Sequence, residues 1–181
     1  MHMADALVSP AVGVAMTVVS GGLLACSARQ VAQANDDRLV PLMGVTGAFV
    51  FAGQMLNFTI PLTGSSGHIG GGILLAALLG PHAAFIALAS VLAIQALFFA
   101  DGGLLAYGCN LFNLGFWPCF VICPLLFRPL MATAAGGARL WLATVAGVVL
   151  ALQGGAFSVV METKLSGITA LPFMHFVMLM Q

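Results

Sequence analysis

Charge is what this 181-residue chain has least of: five Lys and Arg, five Asp and Glu, together 6% of residues and a formal net charge of +0. So few bases leave no basic stripe for nucleic acid and no polybasic patch for anionic lipid. The apolar stretches contain no paired acids, no Ser–His set and no His-Glu-x-x-His run, so the groups an intramembrane enzyme needs are missing. Four cysteines are too few for a thiolate zinc site: Cys26 and Cys109 stand alone, and Cys119 and Cys123 make only an i, i+4 pair. All four read as small apolar packing residues, and the ten methionines, with no Met-x-x-Met series, as apolar fill. Alternating ten-residue strands are absent, which excludes a transmembrane barrel, and neither a repeat nor a low-complexity segment appears.

What the chain does have is apolar surface. Apolar residues make up 61% of the sequence and mean hydropathy is +1.12, the composition of an integral membrane protein. Spans of roughly 20 residues predict an all-α, polytopic helix bundle with helices near 10–27, 40–60, 69–80, 82–100, 103–127, 140–161 and 172 to the end. That is six to seven transmembrane crossings in one membrane-embedded domain, 1–181. The linkers are 27–39, 61–67, 101–103, 128–139 and 162–171.

Arg29 and Arg38 flank the first linker, and Arg128 and Arg139 the fourth, so these loops are expected on the cytoplasmic side. Counting crossings then puts Met1, the 61–68 loop and Asp101 together on the external side. Leu23-Leu24-Ala25-Cys26 resembles a lipoprotein cleavage box, but the segment before the apolar run carries Asp5 and no base, unlike a secretory leader. An uncleaved first helix is expected. Methionine is expected to persist at position 1, because the trimming aminopeptidase accepts small second residues and His2 is bulky.

A histidine at position 2 makes a free N-terminus a nitrogen chelate. The Met1 α-amine, the His2 backbone nitrogen and the His2 imidazole can close fused five- and six-membered rings around one ion. Three nitrogens in a plane leave one corner, a geometry that suits Ni(II) or Cu(II) better than tetrahedral zinc. By itself a Met-His start is commonplace; on the external face of a membrane bundle it needs only a fourth donor. His68 is the candidate, since it follows a Gly-Ser-Ser-Gly turn on that side. His82 is expected on the cytoplasmic side and His175 within the last apolar stretch, both as hydrogen-bonded structural histidines. Gln54 with Asn57, and Asn110 with Asn113, are i, i+3 amide pairs expected to share helix faces, join helices and support the metal loop from behind. Asp101, before Gly102 and Gly103, reads first as an N-cap for the next helix.

Met1-His2-Met3-Ala4-Asp5, Gln54-Met55-Leu56-Asn57-Phe58, Ser66-Gly67-His68-Ile69-Gly70-Gly71, Asp101-Gly102-Gly103-Leu104-Leu105 and Asn110-Leu111-Phe112-Asn113 occur in this order. In these five motifs the chain resembles the NikM/CbiM family, the substrate-capture subunits of energy-coupling-factor importers for nickel and cobalt, from Met1 to about residue 176. The resemblance implies a seven-helix subunit of a prokaryotic plasma membrane. Its metal ligands would be the Met1 amine, the His2 amide and imidazole, and a loop histidine that maps onto His68. It implies partners too: a transmembrane coupling protein, two cytoplasmic ATPases that carry the ATP hydrolysis, and a small accessory membrane subunit. The chain stops at Gln181, inside what would be the family's final helix, so that helix is expected to be incomplete.

Ni(II) is the expected substrate, because four nitrogens in a plane suit its d8 electrons. Co(II) follows closely, and copper would bind such a chelate more tightly than either, so metal availability has to help choose. The alternatives are a cobalt-specific capture subunit serving cobalamin synthesis, or a structural or accessory membrane protein that transports nothing.

Overall fold

The structure, a computed structural model, describes residues 2–60, 65–132 and 137–168. A two-residue strand, β1 (His2–Met3), and a 3-10 turn (Asp5–Leu7) lead into α1 (Pro10–Ala34). There follow α2 (Leu39–Gln54), β2 (Asn57–Ile60), β3 (Ser65–His68), α3 (Gly72–Leu79) and α4 (Pro81–Phe98). The described helices end with α5 (Tyr107–Ala132) and α6 (Gly137–Ser166).

Local chemistry sets most helix ends. Ser9 caps α1, its side chain accepting from Val12 N at 3.4 Å, and Pro10 takes the first-turn position where no N–H is missed. Asn35 closes the same helix in the left-handed region, at φ 47. Pro81 starts α4 just after the tight α3–α4 reversal at Gly80.

Among the described residues, four helices are long and apolar enough to cross a membrane: α1, α4, α5 and α6. The expected count of six to seven crossings is not reached among the described residues. The 16-residue α2 and the eight-residue α3 are shorter, and the expected helix from 172 onward lies outside the described residues. The chain is a multi-pass membrane protein. Its outward faces carry Val18, Val45, Phe49, Phe98, Trp141 and Leu165, side chains at home against lipid tails.

α4 is the central element, packed on α1, α2, α3 and α5, with Phe85, Leu88 and Leu92 buried. Between apolar helices in lipid the attraction is van der Waals packing rather than expulsion of water, so close backbone approach matters. Gly115 of α5 sits against the Phe85 ring, which would lie 2.8 Å from any Cβ added there. From Phe112 to Phe127, α5 runs in wide π turns that accommodate Pro118 and Pro124 inside the helix.

Several boundaries differ from expectation. α1 runs through the expected 27–39 linker to Ala34, because a helix follows its backbone bonds and good formers past the membrane run that ends near Arg29. The expected 40–60 helix stops at Gln54, and Asn57-Phe58-Thr59-Ile60, ending at a proline, pairs as a strand. α5 begins at Tyr107, not at 103, with Ala106 as its N-cap residue, so Asp101 does not cap it. α6 continues through Glu162 to Ser166, five residues beyond the expected end.

The all-α expectation also needs a small addition. At the end of the bundle where α1 begins and α4 ends, three strands form an antiparallel sheet in the order β1-β3-β2. His2 lies opposite Ser66 and Met3 opposite Ser65, while Asn57 lies opposite His68.

Candidate metal centre

The sheet brings the two candidate histidines together. The His2 and His68 ring centroids are 4.7 Å apart at an interplanar angle of 52°, and both residues are buried. Met1, the third candidate ligand, lies outside the described residues.

β1 is held by side chains from α5. Asn110 receives the Met3 N–H on Oδ1 at 2.7 Å and donates Nδ2 to Met3 O at 3.1 Å. Two buried peptide groups are thereby satisfied by one carboxamide. Two residues on, the Asp5 carboxylate accepts from Ala106 N at 2.9 Å. Gly102, at φ +87, fits against the same segment; a Cβ there would stand 2.9 Å from both His2 Nδ1 and Asn110 Nδ2. Only glycine combines that backbone with that clearance.

β3 is held from the other side by a relay of amides. Gln95 of α4 donates Nε2 to Gln54 Oε1 at 3.1 Å, and Gln54 Nε2 donates to Gly70 O at 2.7 Å. The loop that follows His68 is thus tied to two helices.

The rings themselves are set up as neutral donors. His68 Nδ1 lies 2.9 Å from Ile69 O, so Nδ1 carries the proton and Nε2 keeps its lone pair. The Asp101 backbone hydrogen-bonds the His2 ring, and His2 Nε2 is buried without a partner. Burial pulls both imidazoles down from the ordinary 6.5 to about 3, so both are uncharged at neutral pH. Only Nδ1 of His2 can close a six-membered ring with its own amide nitrogen. A chelate through Nδ1 therefore exchanges the Asp101 contact for the ion.

The remaining candidates separate cleanly. His82 is at the far end of the bundle, its Nδ1 3.2 Å from Ser27 Oγ and its ring against Phe120. His175 lies outside the described residues. Cys109, Cys119 and Cys123 are buried and Cys26 is exposed, all as free thiols. Asn110 and Asn113 both reach Met3, from one face of α5. Gln54 and Asn57 do not share a helix face, since Asn57 is in β2.

Two participants escaped the sequence reading. Gln95 was not singled out, and Glu162 was assigned to a linker; both are fully or almost fully buried. Their signal was polarity inside an apolar stretch. Among the described residues, no three or more His, Cys, Asp or Glu side chains are grouped to hold a metal.

Residues 2–181 match the family model described as the cobalt uptake substrate-specific transmembrane region, CbiM. A Haloquadratum walsbyi relative, named for metal transport, is 34% identical over 160 residues, covering 87% of this chain and 73% of that protein. The fused nickel transport protein NikMN of Rhodobacter capsulatus is 32% identical over 140 residues, 77% of this chain but 39% of its own length. Against the fused relatives, then, the chain spans well under half their length. A crystal structure of a truncated transition metal transporter superposes with a TM-score of 0.80 at 33% identity, covering 91% of this chain and 75% of that one.

Proposed function

The chain belongs to the CbiM family, and from that premise we propose that it is the substrate-capture subunit of an ATP-driven energy-coupling-factor importer for Ni(II), with Co(II) second. Its relatives are metal transport proteins rather than enzymes. The ion is held by the Met1 amine, the His2 amide and imidazole, and His68, in a plane of four nitrogens. The observation that carries this reading is the buried, neutral His2–His68 pair, rings 4.7 Å apart, one of them on a clasped strand two residues long. Neutral imidazoles each keep one lone pair for an ion, at Nε2 on His68, and at His2 Nδ1 a dication takes the place of the Asp101 contact.

Cobalt is kept as the second substrate by the family description, which names cobalt uptake, while the fused relatives are named for nickel. The N-terminus faces outward in a prokaryotic plasma membrane. A coupling subunit, two ATPases that supply the energy for uptake and a small accessory membrane subunit complete the importer. The test is stoichiometric nickel titration of purified protein with its N-terminus intact: one planar Ni(II) per chain supports the reading, and no binding at micromolar metal overturns it.

A further inference from the structure

The polar path behind β1 continues past Asn110. One turn along α5, Asn113 Nδ2 lies 3.6 Å from Met3 Sδ and donates to Glu162 Oε2 of α6 at 2.8 Å. Asn113 is 2% and Glu162 4% exposed. Among the described residues, Glu162 Oε1 and Asn113 Oδ1 are buried without an N–H or O–H partner. The groups acting on the Glu162 carboxyl are Asn113 and Cys109, with no cationic side chain among them. A carboxylate removed from water in this way is costly unless a positive charge comes near it. Within a membrane helix such a group calls for a functional explanation.

The proposed chelate supplies that charge. A dication bound to one ionised backbone amide and three neutral nitrogens carries a net positive charge. It sits beside Met3, whose side chain meets the amide that Glu162 holds. We propose that Glu162 is the buried counter-charge of the captured divalent cation and, through Asn113, a positioning residue for the strand that chelates it. This rests on the capture reading above. The carboxylate touches Asn113 rather than the ion, so it favours the loaded site through charge and through the seating of Met3.

The decisive variant is Glu162→Gln, which keeps the size and the acceptor for Asn113 but removes the charge. Nickel titration should show roughly 10- to 100-fold weaker binding, the range for groups that act behind metal ligands, with the planar-nickel absorption band unchanged. Affinity within about threefold of wild type, under 0.7 kcal/mol by the same conversion, overturns the proposal; so does a displaced band, which would mean altered donors. Should the Gln variant fail to accumulate in membranes, Glu162→Asp and Asn113→Leu decide. The Asp variant should bind more tightly than the Leu variant, and the reverse order overturns the proposal. Failure of the capture reading looks different, because wild type and His68→Ala would then bind nickel equally poorly.

Discussion

Replacing Asn110 with alanine tests whether the chelating strand has to be held from α5. The change deletes both hydrogen bonds to Met3, at 2.7 and 3.1 Å, and leaves a buried N–H and a buried C=O with no partner from that side chain. Each orphaned group costs about 1–3 kcal/mol, so the docked strand loses about 2–6 kcal/mol if it stays in place. It need not stay: β1 is two residues long, and undocking lets water satisfy both groups. The lower figure is therefore the safer guide, and about 2 kcal/mol corresponds to roughly a 30-fold weaker Kd. Isothermal titration of nickel into the purified variant reads this directly. The protein should still insert and keep its helical circular dichroism, since the two hydrogen bonds lost run to β1 and not between helices. A Kd within threefold of wild type would refute the reasoning, because the strand would then hold its geometry without the clasp.

Four further outcomes follow from the same geometry. His68→Ala should leave the protein inserted but bind Ni(II) far more weakly, while His82→Ala, at the opposite end of the bundle beside Ser27, should titrate like wild type; equal curves for His68→Ala and wild type would discard His68 as a ligand. One residue added before Met1 should abolish binding, since the amine becomes an amide and His2 leaves its two-residue register, and an extended protein with the original affinity and spectrum would sink the chelate. Nickel affinity should fall on acidification from about pH 8, where an ordinary α-amine titrates near ~7.7–8.0, and not through the two imidazoles, which burial keeps neutral down to about 3. An unfolded chain takes up those protons near 6.5 and the folded one does not, so stability should be level above that pH and decline from 6.5 toward about 3. Thermal denaturation across that range that shows no decline would contradict it.

The site was legible where chemistry lies in residue order and obscure where it lies in pairing. The proposed chelate rests on two adjacent residues, Met1-His2, and loop charges were enough to place His68 and Asp101 at the same end as His2 and His82 at the other. The sheet left no such trace. Its strands are two to four residues long, and Asn57–Ile60 continues an apolar run that period alone cannot tell from helix. Glu162 was misplaced because charge was taken as the end of a membrane run, whereas α6 carries that residue inward against Asn113. Asn110 and Asn113 showed their shared face from spacing, but that both would meet Met3, more than a hundred residues away, is a fact of tertiary packing.

Asn110 has one more consequence, for what the sheet cannot do. A carboxamide presents a donor and an acceptor much as a peptide unit does, and here it takes the place that the next strand would occupy beside Met3. An outer strand with free N–H and C=O groups is a template on which another chain can assemble. This one ends against a side chain fixed in a helix, so the sheet is closed to recruitment at the margin where the first residues of the chain lie. A neighbouring copy or a nascent chain finds no ladder there to extend.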